Sequence, residues 1–222
     1  MENPLGYELG KPLLSWCLEE TQRINTQAFM IKVSEDPDMK HLFLRTGRRK
    51  QFAGNCYRIE KELKPRCRYY WSVTVWMEDG SEIQSSINWF ETGKLEEPWM
   101  AQWITCENKE KRHPVFRQEM YVRRPVASAR IYICGLGLYE LYLNGRRIGQ
   151  EYLAPGCNNY ASWLQYQTYD ITGELKQENQ FAVLLGNGWY KGRFGLPGTD
   201  SSACEKSYSL IAEIHVRFTD GS

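Results

Sequence analysis

The sequence predicts an all-β protein, on three observations. Short runs in which apolar and polar residues alternate recur along the chain, bounded by Gly, Pro, Asn and Asp, which is the strand period with turn residues between. Helical periodicity is scarce. Aromatic residues make up 14% of the 222 residues, with Trp 8 and Tyr 14, which favours strands and disfavours a helical bundle. The length suits one large β domain or two small ones, and we expect two.

The first half contains two clear strands. In "AFMIKVSED" the apolar residues Phe29, Ile31 and Val33 alternate, so one face is expected to be buried and the other mixed. The longer run "YYWSVTVW" also alternates, and it leads into Asp79-Gly80, a strong signal for a tight turn. We therefore predict a second strand that opens a hairpin.

The start of this second strand carries a more specific pattern. Leu63, Pro65, Cys67 and Tyr69 follow at every second position, and this spacing resembles the fibronectin type III signature, in which a Leu and a Pro precede a tyrosine corner. In such a corner the hydroxyl bonds to upstream backbone while the ring packs in the sandwich. A last strand in "SSINWFETG" and a linker in "KLEEPW" place the first domain, an immunoglobulin-like β-sandwich, at residues 1–97.

The second half, residues 98–222, continues with strands. "SARIYICGLGLYELYLNGRRIG" predicts two of them, and Asn144-Gly145 closes a hairpin with a type I′ preference. Further strands are predicted in "YQTYDIT", "QFAVLLGNGW" and "YSLIAEIHVRFTDGS". Asp220-Gly221 announces another hairpin, yet the chain stops there, so the last strand is expected to lie at an open edge of a C-terminally truncated fold.

Composition excludes several functional classes. Lys and Arg number 28 against 27 Asp and Glu, so no net field favours nucleic acid or an anionic membrane, and neither is expected as a partner. No stretch approaches the roughly 18 apolar residues of a membrane span. The N-terminus lacks a secretory signal, and the cysteines form no CxxC pair, which predicts neither disulfides nor zinc and favours a cytoplasmic protein.

Two glycine-rich segments could be mistaken for phosphate sites. "GLGLYE" lacks a third glycine and is followed by a strand pattern where a dinucleotide fingerprint needs a helix. In "LGNGWYKGRFG", Lys191 is followed by Gly192, with no Ser or Thr to reach a metal ion. What remains is a loop after a buried run, whose Trp189 either plugs the end of a sandwich or stacks on a sugar.

A third segment, "LAPGCNNYASW", is polar and rich in turn residues. The amides of Asn158 and Asn159 offer donors and acceptors that suit paired sugar hydroxyls, and their carbonyl oxygens would suit a hard cation such as calcium. Ordinary turn chemistry explains the same residues. The three histidines are isolated in sequence, and no nucleophile has a base at recognisable spacing, so no catalytic residue is predicted.

The order of motifs over the whole chain points to a known family. "NPLG", "SW", "YYWSVTVW", "FETG", "YQTYDIT" and "LLGNGWYKGRFG" occur in this order around the segment Gly135–Gly156. Together they closely resemble the N-terminal region of bacterial α-L-rhamnosidases, a glycoside hydrolase family. Gly135–Gly156, Tyr169–Thr172 and Gly186–Tyr190 carry the most specific part of the resemblance.

The resemblance implies a fold and a role. After the fibronectin-like module it implies a jelly-roll domain over residues 98–222, similar to a carbohydrate-binding module and incomplete at its C-terminus. In that family the catalytic carboxylates lie in a later helical domain, so this chain alone is expected to be inactive. The partner implied is the missing catalytic domain of the same polypeptide, which would hydrolyse terminal α-L-rhamnose from glycosides.

Some jelly rolls of the family bind L-rhamnose with calcium. Here Cys157 stands where relatives tend to carry Trp, and Asn158-Asn159 replaces a pair similar to Thr-Asp, which removes a carboxylate from a calcium site. No cofactor and no metal ligand is therefore assigned, and calcium stays an open alternative.

Two functional hypotheses follow. Either the jelly roll binds a rhamnose-containing glycan, or it is a structural module that braces the missing domains. The candidate substrate-binding residues are Asn158, Asn159, Tyr160, Asn187, Trp189 and Tyr190. A sugar site would line one groove with these side chains, whereas a bracing module would bury the aromatic rings or turn them towards the missing domains.

Overall fold

A computed structural model describes residues 2–6, 8, 10–18, 26–50, 54–106, 112–191 and 207–222. The chain divides into two compact units, Met1–Pro98 and Trp99–Ser222. Both are built from β-strands, as predicted, and the helical structure of the described residues amounts to one turn each of 3₁₀- and α-helix. None of the described helices has the length and apolar character that crossing a bilayer requires.

The first unit is a β-sandwich. Its strands are β1 (Leu13–Ser15), β2 (Thr26–Ser34), β3 (Leu42–Arg45), β4 (Arg49–Lys50), β5 (Cys56–Arg58), β6 (Arg68–Met77), β7 (Glu82–Gln84) and β8 (Asn88–Glu91). β2 and β6 pair antiparallel at the centre of the larger sheet; β3 and β4 extend it beyond β2, and β7 and β8 extend it beyond β6. β1 and β5 form the second, two-stranded sheet.

Alternation along β2 and β6 builds the core between these sheets. Phe29, Ile31 and Val33 are buried together with inward-facing residues of β6, which confirms the predicted period. The predicted turn is also present, since Gly80 has a φ of 85° and its N–H donates to the carbonyl oxygen of Met77. Local patterning therefore determined both strands and the turn from β6 to β7.

The tyrosine corner is confirmed. Tyr69 is fully buried, and its hydroxyl accepts a hydrogen bond of 2.9 Å from the backbone N–H of Lys64, five residues upstream. Its ring stacks on Phe90 with centroids 5.3 Å apart and contacts Phe43 on β3. The hydroxyl thus satisfies a backbone donor at the edge of the core while the ring fills the centre.

The second unit is a jelly roll. Its strands are β9 (Ile104–Cys106), β10 (Val115–Tyr121), β11 (Val126–Leu136), β12 (Leu138–Leu143), β13 (Arg146–Ile148), β14 (Gln167–Asp170), β15 (Glu178–Gly186) and β16 (Tyr208–Phe218). They form two four-stranded sheets, in the orders β10-β15-β12-β13 and β14-β11-β16-β9. Apart from the β12-β13 hairpin, successive strands alternate between the sheets, which is jelly-roll connectivity.

Two glycines determine how the chain turns in this unit. Asn144 and Gly145 have φ values of 52° and 81°, as a type I′ turn requires, so the predicted hairpin is confirmed. Gly137, with a φ of 127°, is the single residue between β11 and β12, where the chain passes from one sheet to the other. Side chains of both sheets meet in one apolar core, which includes Ile133 and Leu141.

The expectation of an open edge at the last strand is wrong. β16 pairs with β11 on one side and with β9 on the other, so it lies inside its sheet. The partner was missed because β9 has only three residues, with little alternation, and precedes β16 by about a hundred positions. The Asp220-Gly221 turn itself is formed, since the N–H of Gly221 donates to the carbonyl oxygen of Phe218.

A buried thiol makes the stability of this unit depend on pH. Burial of Cys134 raises the pKa of its thiol from 9.0 to about 12. The unfolded chain therefore loses this proton at lower pH than the folded chain, and the stability present below pH 9.0 is lost as pH rises towards 12. We expect the free energy of unfolding to fall in this window by up to about 1.4 kcal/mol per pH unit from this group.

Urea denaturation between pH 8 and 11 measures this slope. Cys134→Ala should flatten it, whereas Cys157→Ala, at an exposed position, should leave it unchanged. Equal slopes in the two variants would contradict the assignment to Cys134.

Candidate functional site

The segment "LGNGWYKGRFG" begins at the end of β15. Phe181, Val183 and Leu185 are buried while Leu184 is exposed, so the predicted buried run is an alternating strand with one face outward. After Asn187 the chain forms one helical turn, Gly188–Lys191, where a loop was expected. The last four residues of the segment, 192–195, lie outside the described residues.

The helical turn packs tightly against the start of β12. Gly188 has a φ of 49°, and a Cβ built on it would lie 2.8 Å from the backbone nitrogen of Leu138. A side chain at position 188 would collide with backbone, so the glycine is required for close approach. This contact holds the turn beside the β11-β12 crossing.

The structure brings two of the predicted aromatic residues together. The rings of Tyr160 and Tyr190 lie 5.0 Å apart at an angle of 57°. Trp189, on the same helical turn, is half-buried, so it is neither a fully enclosed plug nor a freely exposed platform. The two interpretations of Trp189 therefore both stay open.

Asn187 belongs to a small polar network. The hydroxyl of Tyr208 donates to Oδ1 of Asn187, and Nδ1 of His113 lies 3.3 Å from the same hydroxyl. Nζ of Lys191 lies 4.1 Å from the centre of the Tyr208 ring. His113, isolated in sequence, is thus placed beside the candidate segment by the fold.

The two asparagines stabilise the β13-β14 connection. Oδ1 of Asn158 accepts a hydrogen bond of 2.9 Å from the backbone N–H of Gln165, and Oδ1 of Asn159 accepts one of 3.3 Å from that of Ala161. The backbone oxygen of Asn159 also accepts from Trp163. Hydrogen bonds within the connection therefore occupy the side-chain oxygens of both asparagines.

Two polar atoms in this connection lack hydrogen bonds within the described part of the chain. Nδ2 of Asn158 and Oη of Tyr160 are buried, and neither has a hydrogen-bond partner among the described residues. Burial raises the pKa of Tyr160, so its hydroxyl keeps its proton and stays a donor. A buried polar atom without a partner costs about 1–3 kcal/mol, and such atoms are uncommon in native structures.

No cluster of acidic side chains suited to calcium is found among the described residues. No three His, Cys, Asp or Glu side chains lie close enough to share an ion in the part of the chain that the structure covers. The amide oxygens of Asn158 and Asn159, which a hard cation would need, already accept backbone hydrogen bonds.

Sequence reasoning missed a cavity of about 260 Å³ on the outer face of the β10-β15-β12-β13 sheet. Its lining residues are His113, Leu138, Tyr139, Glu140, Arg147, Tyr152, Leu153, Leu184 and Gly186. None of the six predicted site residues is among them. The cavity nevertheless draws on the same two segments, the β13-β14 connection and the end of β15, that carry the predicted residues.

One signal for the cavity was available in the sequence. Leu138, Glu140 and Tyr142 occupy the alternate positions of β12 that face away from the core, and outward side chains on neighbouring strands share a surface. The contribution of Tyr152 and His113 was not predictable, because it depends on how distant loops fold back onto the sheet.

Comparison with known proteins identifies both units. Residues 1–96 match the family described as the Rha78A-like N-terminal immunoglobulin domain, and residues 124–222 match the α-L-rhamnosidase N-terminal domain. An α-L-rhamnosidase of Formosa agariphila is 32% identical over 85% of this chain, and one of Alteromonas sp. is 27% identical over 99% of it. The chain spans 23% and 26% of the lengths of these two relatives.

Solved structures agree with these family matches. The α-L-rhamnosidase from Dictyoglumus thermophilum superimposes over 100% of this chain and 27% of its own, with a TM-score of 0.84 and 31% identity. The Streptomyces avermitilis α-L-rhamnosidase complexed with L-rhamnose has a TM-score of 0.89 over 100% of this chain and 39% of its own. At 19% identity the second comparison shows likeness of fold alone. This chain belongs to the α-L-rhamnosidase family and corresponds to the N-terminal region of its members.

Proposed function

We propose that this chain is the N-terminal accessory region of an enzyme that hydrolyses terminal α-L-rhamnose from glycosides, and that its jelly roll binds carbohydrate. The relatives named α-L-rhamnosidases, one of them crystallised with L-rhamnose, support the first part. In this proposal the catalytic residues lie in the remaining polypeptide. The proposal includes the cytoplasmic location that the scattered cysteines of the sequence favour.

The observation that carries sugar binding is that two buried atoms, Asn158 Nδ2 and Tyr160 Oη, have no hydrogen-bond partner among the described residues. A sugar offers several hydroxyl groups, each able to accept and to donate, so one ring can satisfy both atoms. The adjacent Tyr160 and Tyr190 rings supply the apolar contact that a pyranose ring needs. Asn187, Asn159 and Trp189 complete the proposed site.

Calorimetric titration with L-rhamnose tests this site through Tyr160→Phe. The variant keeps the ring but removes the unpartnered hydroxyl, so it should weaken binding by about fivefold to tenfold, from the loss of one hydrogen bond. Without sugar it should be as stable as the wild type or more stable, because the variant no longer buries the Tyr160 hydroxyl without a partner. Trp189→Ala should also weaken binding.

Trp103→Ala is the matched control, since Trp103 is 41% exposed in the same unit and is not part of the proposed site. D-glucose is the control ligand. Binding that is unchanged in both Tyr160→Phe and Trp189→Ala would overturn the proposed site. We call this site the loop site; its residues are Asn158, Asn159, Tyr160, Asn187, Trp189 and Tyr190.

The bracing role is the second candidate, and one observation favours it. The β13-β14 connection exposes four large apolar side chains, and exposed apolar surface of this kind often marks a protein contact. They are Tyr152, Leu153, Trp163 and Leu164. No heat at millimolar L-rhamnose, from chain shown to be folded, would favour this role.

A further inference from the structure

The cavity on the β10-β15-β12-β13 sheet has the form of a binding site for one small ring. Its volume of about 260 Å³ lies just below the roughly 300–1,000 Å³ of sites for drug-sized ligands. Leu138 and Leu184, which point outward from adjacent strands, give it an apolar floor. Tyr152 stands at its side with 83% of its surface exposed.

One pair of opposite charges supplies the polar groups. Nε of Arg147 lies 3.6 Å from Oε1 of Glu140, and the hydroxyl of Tyr142 donates to Oε2 of Glu140 at 2.7 Å. Arg147 also donates through Nη2 to the backbone oxygen of Glu151, and its guanidinium lies 5.1 Å from the centre of the Tyr152 ring. The carboxylate and the guanidinium are therefore held in place before any ligand arrives.

Arg147 also carries an unmet donor. Its Nε is buried and has no hydrogen-bond partner among the described residues, since the Glu140 oxygen is too distant for one. A hydroxyl oxygen within the cavity could accept from the guanidinium of Arg147, whose side chain is 28% exposed, while its own proton is donated to Glu140. The cavity thus presents one donor and one acceptor side by side, next to apolar surface.

These features select the chemistry of the ligand. The charges of Glu140 and Arg147 cancel, so neither an anion nor a cation is favoured and a neutral molecule is. Adjacent donor and acceptor match the vicinal hydroxyls of a polyol, while the leucines and Tyr152 match the apolar face of a pyranose ring. A methyl group in place of a hydroxymethyl group would suit the leucine floor.

We infer that this cavity is a second carbohydrate subsite, which takes one neutral pyranose. The ring stacks on Tyr152, its apolar face lies over Leu138 and Leu184, and two neighbouring hydroxyls bond to Glu140 and Arg147. The subsite shares no side chain with the proposed loop site, so each can fail without the other.

Amide chemical shifts in ¹⁵N-labelled chain, titrated with L-rhamnose, report on the two sites separately. The amides of Glu140 and Leu184 report the cavity, and those of Tyr160 and Tyr190 report the loop site. Tyr152→Ala should weaken the affinity seen at the cavity amides by about tenfold, the value of one aromatic stacking contact. Tyr121→Ala is the matched control, because Tyr121 on β10 is 61% exposed and does not line the cavity.

Glu140→Gln tests the argument from charge. It leaves Arg147 without its counter-charge, so binding of L-rhamnose should weaken and glucuronate, an anionic pyranose, should now shift the cavity amides. Binding at the cavity amides that is the same in Tyr152→Ala and Tyr121→Ala, or cavity amides that never respond to sugar, would overturn the subsite. Loop amides that stay silent while cavity amides respond would overturn the loop site alone.

Discussion

Replacing Gly137 with alanine is expected to destabilise the jelly roll by at least about 3 kcal/mol, from positive-φ strain and overpacking. Gly137 has a φ of 127°, and a Cβ built there would lie 2.1 Å from the backbone oxygen of Gly186. The Cβ is fixed to the backbone of residue 137 and the oxygen belongs to the backbone of Gly186, so no side-chain movement relieves the contact. β12 must then separate from the end of β15, where Leu138 pairs with Gly186.

Gly173→Ala is the matched control. Gly173 lies in the same unit, its φ is not positive, and a Cβ built on it meets nothing within 4 Å. Urea denaturation should place this variant within about 0.5 kcal/mol of the wild type, as for most surface substitutions. A Gly137→Ala protein that matched the control would show that the strand crossing is not as tight as described.

The second large effect is expected at the tyrosine corner of the first unit. Tyr69→Phe keeps the ring and leaves the backbone N–H of Lys64 without its acceptor, which should cost about 1–3 kcal/mol. Tyr69→Ala also removes a fully buried ring that packs on Phe90 and Phe43, which should cost about 3–5 kcal/mol. Comparing the loss of stability in the two variants separates the contribution of the Tyr69 hydroxyl from that of its ring.

Tyr70→Phe is the control for this series. Tyr70 follows Tyr69 on β6, faces the other side of the sheet and is half-buried. Chemical denaturation monitored by amide hydrogen exchange in β2 and β6 measures the free energy of the first unit itself. Equal stability of Tyr69→Phe and Tyr70→Phe would contradict the role assigned to the hydroxyl.

Much of the fold could be predicted because its determinants are local. Alternation with period two places Ile31 and Val33 inside, and Gly80, Asn144 and Gly145 adopt the positive φ values that tight hairpins require. The corner at Tyr69 was predictable for the same reason, since its hydrogen bond spans only five residues.

The features that sequence could not predict depend on contacts between distant residues. β9 pairs with β16 across about a hundred positions, and nothing in "ITC" announces that partner. The cavity joins His113, Glu140 and Leu184, which no spacing rule connects. Asn158 and Asn159 were predicted as polar contacts, but only the structure shows that their oxygens are occupied and that one amide nitrogen is not.

The measurement that tests the central claim most directly is a calorimetric titration of the wild-type chain with L-rhamnose, run with calcium and again with a chelator. The account predicts saturable binding that is absent with D-glucose and unchanged by the chelator, because no three His, Cys, Asp or Glu side chains among the described residues lie close enough to share an ion. No heat at millimolar L-rhamnose in either condition, from folded protein, would contradict carbohydrate binding and leave the bracing role.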